Sequence, residues 1–328
     1  MKRRDVLALG LAALSAPAMP RQAFTQTAYP DRPIRLITPF PPGGAFDTIA
    51  RPWAERIKPH LGTVVVENIG GGGGSVGAAQ ASRARPDGYT ILLGGATTHV
   101  TEALLKNRPQ YDALKDFEPI SAVAITAFAL AVHPSVPANN LKELVDYAKA
   151  NPGKLSYGSA GAGSLNHLTG ELFKMRTELR DLIHVPYRGA GPALVDILAG
   201  QIPMIVPAMT NHVLDLHRTG KVRVLAVTHG TRLAASPELP TAVEQGFPDI
   251  VTPNFIGLFV PTGTPKPIIE QVAQANRKLL AEPSYRELLI SGTFEPQPDL
   301  EGDAYRRYVE SEIARWRPVV QAIDLKID

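Results

Sequence analysis

The amino-acid sequence predicts an α/β protein with mostly parallel sheets flanked by helices. Short β-branched and apolar runs alternate with amphipathic segments along most of the 328 residues. This alternation is typical of open sheets that are covered by helices. Two predicted strands run into glycine-rich turns that open helices, at Gly43-Gly44 and at residues 159–164. About 300 residues remain after a predicted leader, and that length favours two domains.

Residues 1–27 have the features of a secretory signal peptide. A basic start, Met1-Lys2-Arg3-Arg4, precedes an apolar run over residues 6–18 and the small residues Ala16-Pro17-Ala18. The run is shorter than the roughly 20 residues that a membrane-spanning helix needs. Arg3-Arg4 also resembles a twin-arginine signal, so the Sec and twin-arginine routes both stay open. We expect an exported protein, with a disordered or membrane-resting N-terminus as the alternative.

The predicted strands lie where β-branched and apolar residues cluster between turn residues. They cover residues 34–38, 63–67, 89–94, 123–133, 155–159, 185–187, 204–207 and 222–228. Helices are predicted from apolar residues at helical spacing, and Asn140 with Glu143 has the form of a capping box. They cover residues 45–61, 78–85, 140–150, 164–173, 190–199, 267–281 and 303–323. Pro52 predicts a kink or a new start within the first helix.

Charge and cysteine content narrow the range of functions. Removing residues 1–27 takes away four of the 34 basic and one of the 31 acidic residues, so 30 of each remain. A neutral chain argues against nucleic acid as a partner, because nucleic acid calls for a clustered basic surface. The absence of cysteine excludes disulfides, thiol catalysis and a lipid-modified cysteine anchor. No later apolar run has the length of a membrane span.

The stretch Pro39-Phe40-Pro41-Pro42-Gly43-Gly44-Ala45-Phe46-Asp47 predicts an anion site. Its prolines end the strand because proline has no N–H for the ladder, and its two glycines allow a tight turn. The following helix begins with N–H groups that lack intrahelical partners, at the positive end of the helix dipole. An ordinary strand-to-helix turn is the alternative.

The second glycine-rich turn lies in the other candidate domain. Ser159 and Ser164 could add hydroxyl donors to its backbone N–H groups, and His167 follows one turn into the helix. Helix capping is the alternative for the two serines, and packing at the helix start is the alternative for His167. Two helix starts that face each other across a cleft suit a small molecule with one or two carboxylates.

Enzyme motifs are absent or incomplete. The run Gly72-Gly73-Gly74-Ser75-Val76-Gly77 matches a dinucleotide fingerprint, but no acidic residue ends the next predicted strand. No lysine follows the glycines as in a phosphate-binding loop, and neither Ser159 nor Ser164 lies in a nucleophile elbow. The eight histidines show no paired metal spacing. We therefore predict no catalysis, no cofactor and no metal.

Several segments resemble the Bug family, the solute receptors of tripartite tricarboxylate transporters. The resemblance covers nearly the whole chain after the leader and follows the family's order. The segments that carry it are Tyr29-Pro30-Asp31-Arg32-Pro33, the Pro-Phe-x-Pro-Gly-Gly-x-x-Asp turn, Val66-Glu67-Asn68, Pro86-Asp87-Gly88-Tyr89-Thr90, Tyr157-Gly158-Ser159-Ala160-Gly161, His167-Leu168-Thr169-Gly170-Glu171, His184-Val185-Pro186-Tyr187-Arg188-Gly189, Leu225-Ala226-Val227-Thr228 and Leu239-Pro240-Thr241.

The resemblance implies a two-lobed, type II-like periplasmic binding protein that closes on a carboxylate in the cleft between its lobes. It places one lobe at residues 28–129 and 251–328 and the other at residues 130–250. Two crossing segments, near residues 127–131 and 250–254, would join them. It also implies a periplasmic monomer that works with integral membrane transporter subunits.

The family's ligand loops correspond to residues 40–47 and 159–167, and residues 97–99 lie where the family lines its pocket. The substrate-binding residues that the resemblance implies are Phe40, Pro42, Gly43, Gly44, Ala45, Asp47, Thr98, His99, Ser159, Ala160, Gly161, Gly163, Ser164, His167 and Pro207.

Two departures from the family pattern bear on the ligand. Members commonly have Phe-Asp-Asn where this chain has Val206-Pro207-Ala208, so a proline replaces a polar pocket residue. Arg-Pro commonly follows Glu-Asn, whereas this chain has Ile69-Gly70. With Phe40 and Phe46 nearby, an aromatic carboxylate joins di- and tricarboxylates as the expected ligand. An exported enzyme acting on a carboxylic acid, or a sensing subunit for a signalling receptor, are the alternative functions.

Overall fold

A computed structural model describes residues 29–327, and the predicted leader lies outside the described residues. The chain forms eleven strands within this range. They are β1 (Ile34–Thr38), β2 (Val64–Asn68), β3 (Thr90–Gly95), β4 (Phe117–Thr126), β5 (Ala129–Val132), β6 (Ser156–Ser159), β7 (Ile183–Pro186), β8 (Met204–Ile205), β9 (Arg223–Val227), β10 (Asn254–Pro261) and β11 (Glu295–Pro296).

Eleven α-helices of residues 29–327 cover these strands. They are α1 (Ala45–Arg56), α2 (Lys58–Leu61), α3 (Ser75–Ser82), α4 (Glu102–Leu105), α5 (Leu141–Ala150), α6 (Leu165–Thr177), α7 (Ala190–Leu198), α8 (Asn211–Arg218), α9 (Lys266–Ala281), α10 (Pro283–Ser291) and α11 (Gly302–Ile323). None of them is long and apolar enough to cross a membrane.

The strands form two sheets, which confirms the predicted α/β class. One sheet has the order β11-β4-β10-β3-β1-β2, and the other has the order β7-β6-β8-β5-β9. Both are mixed rather than mostly parallel. β1 pairs in parallel with β2 and β3, whereas β10 runs antiparallel to β3 and β4. In the second sheet, β5 runs antiparallel to β8 and β9.

The antiparallel strands carry the chain from one sheet to the other. β4 leads into β5 through Ala127 and Phe128, and the chain returns between β9 and β10. Thr228 ties these crossings together: its N–H donates to the Phe128 carbonyl, and its carbonyl accepts from the N–H of Thr252, both at 2.8 Å. The hydroxyl of Thr252 donates to that of Thr228 at 2.6 Å. Two neighbouring segments therefore connect the sheets side by side.

Local sequence signals predict several element boundaries correctly. β1 has the predicted bounds, and α1 begins at the predicted residue after Gly44. The Asn140 side chain accepts from the Glu143 N–H at 2.8 Å, as a capping box requires. The predicted helix over residues 45–61 is divided at Ile57, because Pro59 opens α2 and has no N–H to continue α1. Pro52 lies inside α1, and the break comes after it.

Several strands and helices have no local sequence signal and depend on tertiary contacts. β10 is buried at all eight positions between β3 and β4, and its continuous apolar run has neither helical nor alternating spacing. Helices α4, α8 and α10 also lie where no helix was predicted. α3 begins at Ser75 rather than at residue 78, because the glycine run turns tightly through Gly72–Gly74.

A buried asparagine joins three elements beneath the first sheet. Asn276 of α9 is 1% exposed, and its Oδ1 accepts from the Trp53 indole N–H of α1 at 2.8 Å. Its Nδ2 donates to the Ser121 hydroxyl at 2.9 Å and to the Ala122 carbonyl at 3.1 Å, both on β4. The amide therefore uses both its acceptor and its donors inside the core.

We predict that Asn276→Ala lowers the free energy of unfolding by about 3 kcal/mol, because it leaves the Trp53 N–H and the Ala122 carbonyl buried without partners. Urea denaturation followed by tryptophan fluorescence measures the change. The exposed Gln274→Ala on the same helix is the matched control and is expected to change it by less than about 0.5 kcal/mol. Equal effects from the two variants would contradict the assignment.

Candidate functional site

A cavity lies between the two sheets where the starts of several helices meet. It is narrow, with an internal volume of about 30 Å³. No lining residue has a charged side chain. The lining residues are Phe40, Gly44, Ala45, Phe46, Thr97, Phe128, Ala160, Asn166, Ala190, Ala208 and Asn254. A smaller neighbouring pocket shares Ala160, Asn166 and Ala190 and is also lined by Ser159 and Pro207.

Side chains around the first glycine turn hold its shape. The Asp47 carboxylate accepts from the Gly43 N–H at 3.2 Å, from Asn68 Nδ2 at 3.0 Å and from Arg51 Nε at 3.0 Å. Asn68 also donates to the Phe40 carbonyl at 3.0 Å. The predicted ligand-binding residue Asp47 is therefore engaged in the turn itself and does not line the cavity.

The charge of Asp47 is balanced beside the cavity. Burial alone would raise the pKa of its carboxyl, but hydrogen bonds from Arg51, Asn68 and Gly43 outweigh burial and lower the pKa. The Arg51 guanidinium pairs with the carboxylate at 3.0 Å. The ionised carboxylate is thus paired with a cation one helical turn away. Its negative charge therefore does not cancel the positive end of the α1 dipole.

The two serines of the second turn also form hydrogen bonds with backbone groups of that turn. Ser164 is the N-cap of α6, accepting from the His167 N–H at 3.3 Å and donating to the Gly161 carbonyl at 2.7 Å. Ser159 Oγ accepts from the Gly161 N–H at 3.1 Å and lies 2.7 Å from His184 Nε2. The capping alternative therefore applies to Ser164, whose side chain is fully buried.

Free backbone donors remain where the helices begin. Within residues 29–327, the N–H groups of Gly44 and Ala45 at α1, of Ala160 and Asn166 at the second turn, and of Ala190 at α7 have no hydrogen-bond partner. All five residues line the cavity. The start of α7 is a third helix N-terminus that the sequence analysis did not include. Three positive helix ends therefore meet at one uncharged cavity.

The turns of the two sheets touch around the cavity. The Leu165 N–H at the start of α6 donates to Thr97 Oγ1 at 3.1 Å, across the gap between the sheets. A methyl group built on Gly73 would lie 2.5 Å from the Ala162 carbonyl oxygen, and one on Gly189 would lie 2.9 Å from Pro41 Cδ. Both glycines have positive φ. Only glycine permits this closed arrangement at these two contacts.

The structure brings six of the predicted site residues to the two pockets. Phe40, Gly44, Ala45 and Ala160 line the larger cavity, and Ser159 and Pro207 line the smaller pocket. The other predicted residues hold the turns or lie behind them, without lining either pocket. They are Pro42, Gly43, Asp47, Thr98, His99, Gly161, Gly163, Ser164 and His167.

Thr98 and His99 point into the first sheet's core instead of the cavity. Thr98 Oγ1 accepts from the Gly95 N–H at 2.9 Å, and the His99 ring stacks on Phe259 at a centroid distance of 3.7 Å. The segment Thr97–Thr101 forms a wide π-helical turn that directs Thr97 to the cavity. Of this segment, Thr97 lines the cavity, whereas the predicted residues Thr98 and His99 do not.

Sequence reasoning missed most of the cavity's polar side chains. Asn166 and Asn254 line it, together with the apolar residues Phe128, Ala190 and Ala208. Asn166 lies two positions after Ser164, in the first turn of a predicted helix, so the helix start itself indicated its location. Asn254 begins β10, whose place in the sheet depends on pairing with distant strands, and no local signal indicates it.

A stack of neutral histidines supports the second turn from behind. The His167 and His184 rings stack at a centroid distance of 3.7 Å, and His167 Nδ1 accepts from the Gly163 N–H at 3.3 Å. Burial, followed by nearby His184 and Lys174, lowers the pKa of His167 to about 3. Burial and Lys174 lower the pKa of His184 to about 4. Both rings are therefore uncharged near neutral pH.

Comparison with known proteins decides the family. The model of the "Tripartite tricarboxylate transporter family receptor" matches residues 49–325. The chain belongs to this family. Membership favours a solute-binding receptor over an exported enzyme. No group of three or more potential metal ligands lies together within residues 29–327 of this receptor.

Solved structures resemble the receptor over nearly their whole length. The periplasmic binding protein BugD is 34% identical with a TM-score of 0.86, over 91% of this chain and 99% of its own. Rpa4515 of R. palustris with adipate is 32% identical with a TM-score of 0.85, over 91% and 99%. MatC from Rhodopseudomonas palustris with bound malate is 29% identical with a TM-score of 0.83, over 89% and 100%.

The buried histidines predict a loss of stability in mild acid. Histidine in an unfolded chain has a pKa near 6.5, so between about pH 6.5 and 4 the unfolded receptor binds protons that the folded one excludes. The free energy of unfolding is therefore retained above pH 6.5 and falls as the pH is lowered through this window. At pH 5 we expect His167 and His184 to contribute a loss of about 1–2 kcal/mol each.

Urea denaturation at pH 7 and pH 5 measures this loss. His184→Gln removes one of the two groups, so the variant is expected to lose less stability between the two values than the unchanged protein. The exposed His212→Gln is the control and should show the full loss. An undiminished loss in His184→Gln would show that the histidine stack is not its source.

Proposed function

We propose that this receptor captures a small carboxylate between the starts of α1, α6 and α7. The observation that carries the proposal is the set of unpartnered N–H groups of Gly44, Ala45, Ala160, Asn166 and Ala190, all at one cavity without a charged lining side chain. An anion is the ligand that such groups favour, because each helix start is positive and its N–H groups lack acceptors.

Contacts of this kind contribute a substantial part of the binding free energy. A hydrogen bond to a charged acceptor contributes roughly 1.5–3 kcal/mol, and a partly buried helix end adds up to about 2 kcal/mol. A micromolar complex needs about −8 kcal/mol after the costs of ordering. Several such bonds, the helix ends and the burial of an apolar ligand body would have to act together to reach that value without a lysine or an arginine.

The cavity walls favour a carboxylate with an apolar body. Phe40 and Phe46 pack with ring centroids 5.0 Å apart, and both line the cavity with Phe128. Pro207 lines the neighbouring pocket and brings no polar side chain to it. The structures of Rpa4515 with adipate and MatC with malate support the carboxylate class for this receptor. An aliphatic or aromatic carboxylate is the ligand that we propose.

We propose that binding closes two lobes about a hinge. One lobe comprises residues 28–129 and 251–328, and the other comprises residues 130–250. The adjoining crossings at Phe128 and Thr228 are suited to a hinge, since only two segments would have to bend. The contacts of Gly73 with Ala162 and of Pro41 with Gly189 would form on closure.

Family membership supports a proposal for the receptor's location and partners. We propose that residues 1–27 direct export to the periplasm by the Sec or the twin-arginine route. There the closed receptor, a monomer, would deliver its carboxylate to integral membrane subunits of a tripartite transporter. The name of the family and the periplasmic description of BugD support this placement.

We predict that Gly44→Pro lowers carboxylate affinity tenfold or more, because proline removes one of the donors at the start of α1. A thermal-shift screen of carboxylates that includes adipate identifies the tightest binder, and calorimetry with that compound measures the affinity. Gly44→Ala is the matched control, since it keeps the N–H and a methyl group there meets no atom within 4 Å.

Affinity should fall far less in Gly44→Ala than in Gly44→Pro. Circular dichroism of both variants checks that the fold is retained. If the proline variant binds as tightly as the alanine variant, the Gly44 N–H is not a ligand donor.

A further inference from the structure

A short segment after α11, the α11 extension (residues 325–327), turns back onto the lobe that contains α1. Asp324 ends the helix with a φ of 49°, in the left-handed region, and so redirects the chain. The Ile327 N–H then donates to the Leu105 carbonyl at 2.9 Å, and the Ile327 carbonyl accepts from the Asn107 N–H at 3.1 Å. These bonds fix the extension beside the end of α4.

The side chain of Ile327 reaches the second glycine turn, which belongs to the lobe that contains α6. Gly163 lies in that turn with a φ of 81° and has no side chain of its own. A methyl group built on Gly163 would lie 3.3 Å from Ile327 Cδ1 and 3.7 Å from Lys106 Cε. Lys106 is the bridge partner of Ile327, so the two side chains cover the Gly163 backbone together.

The same turn meets the α1 lobe at two further contacts. Thr97 Oγ1 accepts from the Leu165 N–H at 3.1 Å, and a methyl group on Gly73 would lie 2.5 Å from the Ala162 carbonyl oxygen. The turn is thus held by a hydrogen bond, by backbone packing and by the apolar side chain of Ile327. Unlike Thr97, Ile327 lines neither pocket, so it can affect a ligand only through the turn.

We infer that Ile327 is a positioning residue, which holds the second glycine turn against the α1 lobe and so sets how long a bound carboxylate is retained. This inference rests on the proposed function. Opening of the lobes would separate Ile327 from Gly163 and expose apolar surface of both to water, which costs free energy. The contact therefore favours the closed form, although it contributes nothing to the recognition of the ligand.

A contact of this kind has a kinetic signature. It forms on closure, so it is absent when a ligand first meets the open receptor. Its loss should therefore speed dissociation and leave the rate of association unchanged. A residue that only supports the fold would lower the melting temperature of the unliganded receptor without this separation of the two rates.

Ile327→Ala tests the inference, with adipate, malate and benzoate as probes. Surface plasmon resonance on the immobilised receptor measures both rates for the probe that binds the unchanged protein most tightly. We expect dissociation from Ile327→Ala to be roughly threefold faster or more, with association within about twofold of the original rate. Ile327→Leu keeps an apolar side chain of the same size and should retain slow dissociation.

Ile290→Ala is the matched control, because it makes the same substitution at an exposed position of α10 in the same lobe. Both of its rates should equal those of the unchanged protein. Unchanged dissociation from Ile327→Ala, or an equal acceleration in Ile290→Ala, would overturn the inference and leave carboxylate capture standing. Failure of all three probes to bind the unchanged protein would contradict the proposed function, and this inference with it.

Discussion

The rest of the structure depends on one constraint. Backbone N–H groups at the starts of α1, α6 and α7 have no hydrogen-bond acceptor within the described chain. Such groups are costly to bury unless an acceptor meets them, and a folded chain normally provides one. Here they line an uncharged cavity between two sheets. An anion satisfies them and is favoured by the helix dipoles at the same time.

Surrounding polar side chains accept hydrogen bonds from the neighbouring N–H groups, and the N–H groups that line the cavity are left without an acceptor. Asp47 takes the Gly43 N–H, Ser164 takes the His167 N–H, and Thr97 takes the Leu165 N–H. These polar side chains therefore shape the helix starts, and the N–H groups that line the cavity stay available to a ligand. The neutral stack of His167 and His184 behind the second turn adds no charge to the site.

The sequence predicts the parts of this site that local chemistry decides. β1, its proline-rich end and the start of α1 follow from the residues themselves, and the cap at Ser164 is the alternative to its predicted ligand contact. The third helix start and Asn254 depend on which strands pair, and those pairings join residues far apart in the chain. Within Thr97–Thr101, a widened turn decides which threonine faces the cavity, and neither composition nor spacing encodes that choice.

Amide chemical shifts of the ¹⁵N-labelled receptor, recorded while the tightest-binding carboxylate is added, test the central claim most directly. The account predicts large downfield shifts of the Gly44, Ala45, Ala160 and Ala190 N–H signals as the carboxylate accepts from them. Unchanged signals from these groups, with the ligand held instead by an arginine or lysine side chain, would contradict it.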